Sequence, residues 1–202
     1  MQIIKPSIYL EDTLDYKRVL KKIERAARTC YKSEDKIEEG SAEKLIRSCI
    51  KRGHESILEH EIISIRIICS RGVTHELVRH RLASYSQEST RYVNYGKREL
   101  QFIEPWWFAD ETKSKDGFIK TCKDAEYNYL LMLEEGHSPQ AARDALPNST
   151  KTEIFMTANI REWRHILKIR MDIAAHPDIQ LLMRKVYNIL TASMPVFFED
   201  IY

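Results

Sequence analysis

Apolar residues recur at helical spacing over several stretches of this chain, and those stripes predict most of its helices. Tyr16, Val19, Leu20, Ile23 and Ala27 share one face and predict a helix over residues 14–31, with Thr13 as its N-cap. Ser41 caps a second predicted helix, 42–52, which Gly53 ends. The stripe Phe118, Cys122, Ala125, Tyr129 and Met132 predicts a long helix over 117–135, stopped by Gly136. Ser138-Pro139 opens a shorter helix through Arg143 to Leu146. Residues 159–170 read as helix, and Pro177 starts a last helix that runs to Ser193 and ends at Pro195.

Between the helices lie runs with strand character. Residues 2–10 read as an edge strand, because Pro6 has no N–H for a central ladder. Residues 62–69 are mostly β-branched and alternate poorly, which predicts a central strand covered on both faces. Gly72 breaks it, and Thr74 caps a short helix over 75–81. The chain then relaxes into a loop near Ser84 and returns as strand over 91–95. Residues 100–103 and 152–158 read as further strands, the first stopped by Pro105. Trp106-Trp107-Phe108 reads as core or interface packing rather than a ligand platform. Helices and strands are interspersed, so the expected fold class is α+β, one domain over residues 1–202 with one sheet packed against helices.

Composition narrows the partners. With 43% hydrophobic and 31% charged residues, the chain has the balance of a globular protein. A net charge of only +2 argues against a general polyanion binder, so no nucleic-acid partner is expected. The apolar runs are far short of a membrane span, and Lys5-Pro6 interrupts Ile3-Ile4 where a signal peptide would continue. Cys30, Cys49, Cys69 and Cys122 are scattered without a C-x-x-C pair, which reads as reduced thiols and a cytoplasmic location. At 202 residues the chain is small for an enzyme with several large ligands, so an extended site would be shared between subunits.

Against that near-neutral background, residues 79–92 stand out. Arg79, Arg81, Arg91 and His80 sit among six hydroxyl side chains and a single acid, Glu88. Arginine presents a planar fork of N–H donors that never loses its charge, so this segment suits phosphates, carboxylates or the imide edge of a heterocycle. A solvated turn is the commoner reading of a charge run, but this run follows a buried-looking strand. Familiar alternatives fail on spacing. The six glycines form neither a G-x-G-x-x-G nor a P-loop pattern. His75 and His80 are five apart rather than four, so they do not make a zinc-protease helix, and no metal site is expected. No G-x-S-x-G elbow occurs, and Ser89 has no histidine beside it in sequence to activate it.

Arg79-His80-Arg81, then seven residues, Ser89 and Arg91-Tyr92 resemble the signature of the flavin-dependent thymidylate synthases, the ThyX family. The likeness continues in spaced motifs. Residues 26–31 resemble the end of that family's early helix, and residues 53–60 resemble its G-H-E-[ST]-x-x-E-H segment. Arg143 with Leu146-Pro147 resembles its R-x-x-L-P turn, and residues 159–165, Arg170 and Ala175-His176-Pro177 resemble its closing motifs. Glu76 stands where some members carry glutamine; Cys30 is given no role.

The resemblance implies a ThyX-type fold with a mostly antiparallel sheet and a homotetramer whose flavin sites are shared between subunits. It implies reductive methylation of dUMP to dTMP, with methylenetetrahydrofolate giving the carbon, FAD carrying the hydride and NADPH re-reducing it. Arg170 would favour loss of the uracil N3 proton, because a fixed cation stabilises the anion. The flavin would meet His54, Ser56 and Glu59, then Arg79, His80, Arg81 and Gln87, and finally Asn159, Ile160, Arg161 and His165. The nucleotide would meet Glu76, Arg79 and Gln87, the run Glu88, Ser89, Thr90 and Arg91, and the distant Arg143 and Arg170. Taken without the resemblance, the 79–92 segment leaves open a non-catalytic nucleotide- or RNA-binding module.

Overall fold

A computed structural model describes residues 1–201. The chain clusters into two compact units, each built from separate stretches of sequence. The first comprises Met1–Ile8, Arg66–Arg79 and Tyr85–Phe155; the second comprises Tyr9–Ile65, His80–Ser84 and the residues from Met156 on.

The expected single strand over 2–10 is two, β1 (Gln2–Ile4) and β2 (Ser7–Leu10). The break falls at Lys5-Pro6, where the missing proline N–H ends the ladder. Helix α1 (Tyr16–Thr29) is capped by Asp15, whose Oδ1 accepts from the Arg18 N–H at 3.0 Å, rather than by Thr13. Ser41 is the first residue of α2 (Ser41–Lys51), not its cap; Gly40, at φ +74°, holds that place. The Ser41 hydroxyl donates instead to the buried Glu24 carboxylate, which also takes the Arg28 guanidinium. The end of α2 follows its sequence signal: Gly53 (φ +74°) and His54 send their N–H groups back to Ile50 and Cys49. A six-residue 3-10 turn, Glu55–His60, leads into β3 (Ile62–Ser70). Burial alternates along β3, so one face is sealed by Ile63, Ile65 and Ile67 and the other is half covered.

The segment after β3 departs most from expectation. Helix α3 is Arg71–Leu77, capped by the Ser70 hydroxyl rather than by Thr74. Arg79, His80 and Arg81 therefore leave the helix end instead of riding on it. β4 (Ala83–Gln87) lies where a loop was expected, and residues 91–95 form turns closed on the Ser89 carbonyl rather than a strand. The alternation of half-buried Ala83, Tyr85 and Gln87 with exposed Ser84 and Ser86 is a strand pattern written in small polar residues, which hydrophobicity alone does not reveal.

β5 (Gln101–Ile103), α4 (Asp116–Glu134), α5 (Pro139–Ala142), β6 (Lys151–Asn159), α6 (Ile160–Arg170) and α7 (Pro177–Ser193) fall close to their expected places. Pro195 stops α7 and opens a further turn of helix, α8 (Pro195–Phe198). The strands form two sheets rather than one: β1 pairs with β5 in parallel, and four strands bond in the order β2–β3–β6–β4. In the first unit, Phe102, Cys122, Tyr129 and Ala142 are buried together, and Trp107, Phe108 and Phe118 pack edge to face. In the second, α1 packs on α2 and α6 on α7, burying Val19, Ile23, Ile46, Trp163 and Leu190. Among the described residues no helix is long and apolar enough to cross a membrane.

Among the described residues of the second unit, Arg164 is the most deeply buried charged side chain. Arg164, on α6, is 1% exposed. Its Nη1 donates to the Phe197 carbonyl at 2.5 Å and to Asp200 at 2.6 Å, and its Nη2 donates to Asp200 at 2.8 Å and Glu55 at 3.2 Å. Burial alone would lower the guanidinium pKa, but Asp200 and Glu55 outweigh it and raise it. Arg164→Ala removes a buried cation while leaving its partners in place, so it is expected to cost about 3–5 kcal/mol in urea unfolding. Asp200→Asn, at a 42% exposed side chain, is expected to cost about 1 kcal/mol.

Candidate functional site

The sequence-derived site residues divide between the two units. Glu76, Arg79, Gln87, Glu88, Ser89, Thr90, Arg91 and Arg143, all nucleotide candidates, belong to the first. His54, Ser56, Glu59, His80, Arg81, Asn159, Ile160, Arg161, His165 and Arg170 belong to the second. Each unit carries its own cavity.

The cavity of the first unit encloses about 410 Å³. Gln87 and Glu88 line it, joined by Arg66, Arg98, Lys151 and Glu153, none of which the sequence reading singled out. Glu88 accepts from Lys151 Nζ and from the Tyr95 hydroxyl, each at 2.9 Å. Burial, and then Glu88, pushes the Tyr95 phenol upward, so Tyr95 stays a donor. The Gln87 amide nitrogen donates to the hydroxyls of Thr74 at 3.0 Å and Thr152 at 3.2 Å. Arg91 Nε donates to Gln140 at 3.0 Å, and its guanidinium lies 5.4 Å from the Tyr92 ring centroid. The Ser89 hydroxyl accepts from the Arg91 N–H at 3.3 Å, which makes it a turn-forming group. Thr90 is buried, and Arg143 sits on a 3-10 turn after α5. The Arg79 N–H donates to the Glu76 carbonyl at 3.2 Å.

A cavity in the second unit is larger, about 480 Å³. It brings together Glu59, Asn159, Arg161 and His165 from the expected set and adds Glu55, Leu82, Glu162 and Lys168. The Asn159 side chain caps α6 by accepting from the Glu162 N–H at 2.8 Å. Arg161 holds Glu59 at 2.5 Å. The Ile160 side chain is fully buried, and its N–H donates to the Glu61 carbonyl at 3.0 Å. It serves the core, because it is the first residue of α6 and faces inward. His54, Ser56 and Arg81 are exposed. Among the described residues no three His, Cys, Asp or Glu side chains converge as a metal site.

Beside this cavity His80 and Arg170 meet. Arg170 Nε donates to His80 Nε2 at 3.0 Å across 90 residues of sequence. His80 Nδ1 faces Glu162 Oε1 at 3.7 Å, and the His165 ring stands edge to face at 5.9 Å. Burial, then Arg170 and His165, lowers the His80 pKa from 6.5 to about 4. Burial raises that of Glu162 above the usual carboxylate value, with His165 opposing it. Cavities of roughly 300–1,000 Å³ with a few convergent polar groups are the usual form of a small-molecule site. The imidazole, guanidinium, ammonium and amide groups here suit the polar edge of a heterocycle or a diphosphate.

A neutral buried histidine has a signed consequence for stability. Unfolding releases His80 to its ordinary pKa of 6.5, whereas the folded value is about 4. Its contribution is therefore fully present above pH 6.5 and is lost as pH falls toward 4. Replacing His80 with Gln is expected to flatten the stability profile in that window by up to about 1.4 kcal/mol per pH unit. Urea unfolding at pH 7, 5.5 and 4.5 measures this.

Comparison with known proteins places this arrangement. Residues 13–196 match the Thy1 model, described as thymidylate synthase complementing protein. A flavin-dependent thymidylate synthase from Mycolicibacterium vanbaalenii is 35% identical over 196 residues, which cover 88% of this chain and 78% of the relative. One from Corynebacterium diphtheriae is 32% identical, over 88% and 77% respectively. The crystal structure of the UMP/dUMP methylase PolB from Streptomyces cacaoi, bound with 5-Br dUMP, superposes with a TM-score of 0.81. It shows 25% identity and covers 98% of this chain and 96% of PolB. Thymidylate Synthase X from Helicobacter pylori, solved with FAD and dUMP, gives a TM-score of 0.80 at 25% identity, covering 97% and 98%. On this likeness of sequence and fold, the chain belongs to the flavin-dependent thymidylate synthase (ThyX) family.

Proposed function

We propose that residues 1–202 act as one flavin-dependent thymidylate synthase domain, converting dUMP to dTMP. The carbon comes from methylenetetrahydrofolate, and NADPH is the final reductant. FAD, when bound, supplies the hydride. The observation that carries the reading is the Arg170–His80 hydrogen bond, because it joins the arginine of the closing motifs to the signature histidine. The fold matches of this chain extend to proteins solved with FAD and with dUMP or its bromo analogue, which supports the same ligands here.

The residues of this chain divide the work by chemistry. Asn159, Arg161 and His165 offer an amide, a guanidinium and an imidazole around the larger cavity and are assigned to the flavin, with Glu59 holding Arg161 in place. His54, Ser56 and Arg81 are exposed and are assigned to the same cofactor in a homotetramer whose sites are shared between subunits. Gln87 and Glu88 line the smaller cavity and are assigned to the nucleotide with Glu76, Ser89, Thr90, Arg91 and Arg143. The forks of Arg91 and Arg143 suit its phosphate. Arg79, exposed at the junction of α3 with the signature, is assigned to both ligands.

Arg170 is assigned to the uracil imide. A guanidinium beside N3 favours the anion and pushes electron density toward C5, so no enzyme nucleophile is invoked. His80, neutral at physiological pH, accepts from Arg170 without adding a second positive charge beside it. A cytoplasmic location goes with the reading, since its substrates are nucleotide and folate.

The purified protein is expected to be yellow and to form dTMP with dUMP-dependent oxidation of NADPH. A colourless protein that also ignores added FAD overturns the proposal. Arg170→Ala is expected to lower dTMP formation by about 10²–10³-fold, and full activity in that variant removes the imide role. Arg79→Ala is expected to weaken both FAD and dUMP by about tenfold, the loss of one charge-assisted contact to each. Fluorescence quenching and calorimetry measure these affinities.

A further inference from the structure

One carboxylate ties down the loop that carries Ser89, Thr90 and Arg91. Glu88 is the first residue after β4, and its N–H still pairs with β6, donating to the Glu153 carbonyl at 2.8 Å. Its side chain reaches along the same strand. Oε2 accepts from Lys151 Nζ at 2.9 Å, and Oε1 accepts from the Tyr95 hydroxyl at 2.9 Å. Lys151 stands two residues before Glu153 on β6, and Tyr95 stands seven residues beyond Glu88. The carboxylate therefore joins the start of the loop, its end and the strand beside it.

Both anchors are fixed from behind. Thr150, next to Lys151, donates its N–H and its hydroxyl to the Pro147 carbonyl, and its own carbonyl accepts from the Arg71 N–H. Tyr95 is 7% exposed, its N–H donates to the Tyr129 hydroxyl at 3.2 Å, and the two rings pack edge to face at 5.8 Å. Between the anchors the loop folds on the Ser89 carbonyl, which accepts from the Tyr92 and Val93 N–H groups at 3.1 and 2.9 Å. The Glu88 and Lys151 side chains are each 18% exposed. A carboxylate held that far from water is stable only beside its cation. Loss of the cation frees Glu88 to turn toward water and the loop to open with it.

We propose that Lys151 is a positioning residue for the nucleotide that acts through Glu88: it holds residues 88–95 closed, so that Ser89, Thr90 and Arg91 meet the phosphate in one arrangement. It also balances Glu88, the single acid among residues 79–92, beside an anionic ligand. With both oxygens occupied, Glu88 serves the nucleotide by closing the loop. The effect on affinity rests on the nucleotide role assigned to this loop above, whereas the closure does not.

The test uses the full-length protein. Lys151→Met keeps a long stem without charge, and Lys151→Arg keeps the charge. Amide hydrogen exchange of the ligand-free chain reads the loop, and calorimetric titration with dUMP reads the consequence. Lys151→Met is expected to speed exchange at Tyr92 and Val93 about tenfold and to weaken dUMP about tenfold. Its KM for dUMP is expected to rise accordingly, with kcat changed by less than about twofold. Lys151→Arg is expected to recover most of both losses. Adding Glu88→Gln to Lys151→Met is expected to recover part of them, because the amide oxygen still accepts from Tyr95 and no charge is left unpaired. If Lys151→Met does not fold, the neutral Lys151→Gln takes its place. Unchanged exchange at Tyr92 and Val93 in the neutral variant overturns the proposal, as does a double variant no better than the single one. Faster exchange with normal dUMP affinity, in a protein that Arg91→Ala deprives of dUMP binding, overturns it too. Faster exchange in a protein that binds dUMP equally well after Arg91→Ala supports the closure and removes the nucleotide role of the loop instead.

Discussion

A buried guanidinium cannot be left without acceptors, and Arg164 is fully buried in the second unit. Its desolvation is tolerable only while three partners converge: the Phe197 carbonyl, both oxygens of Asp200 and the Glu55 carboxylate. Those partners come from α8 and the segment after it, and from the 3-10 turn before β3. The single charge thus fixes where α6 lies against both. Glu55, Glu162, His165 and Lys168 line the same cavity, so the clasp that satisfies Arg164 also fixes one of its walls. Such a pair of charges adds little net stability, but any arrangement that separates them is costly.

Three of the acids around the two cavities are engaged. Arg161 holds Glu59, Arg164 holds Glu55, and Lys151 with Tyr95 holds Glu88. A carboxylate facing an anionic ligand repels it unless a cation neutralises it. Here each acid serves instead to hold a cation or a phenol in one place. His80 extends the principle: a histidine kept neutral accepts from an arginine where a carboxylate would cancel its charge.

The sequence revealed the long, strongly periodic elements. Helices α4 and α7 and strand β6 lie within a residue or so of their expected bounds, because their apolar stripes are long and bounded by Gly136, Pro177 and Pro195. Capping was harder to read. Asp15 displaced Thr13, and Ser70 displaced Thr74, because several capping residues stand close together at each of those helix starts and sequence alone does not choose among them. β4 was missed because its inward positions are Ala83, Tyr85 and Gln87, and the half-buried Gln87 is satisfied by hydroxyl partners 13 and 65 residues away. Motif likeness singled out His80, Asn159 and Arg170. It did not single out Glu162 or Lys151, which line the cavities through tertiary packing.

The interleaving of the two units bears on how the chain emerges during synthesis. Every residue of the first unit has been made once Phe155 is added, whereas the second still lacks everything from Met156 on. Until then α2 waits without its contacts with α8. Contacts across a hundred residues, such as Trp163 Nε1 to the Ile63 carbonyl, form only at that stage. Such separations slow folding and prolong the exposure of apolar surface. The early helices therefore stay incomplete until the C-terminal stretch from Met156 on has been made.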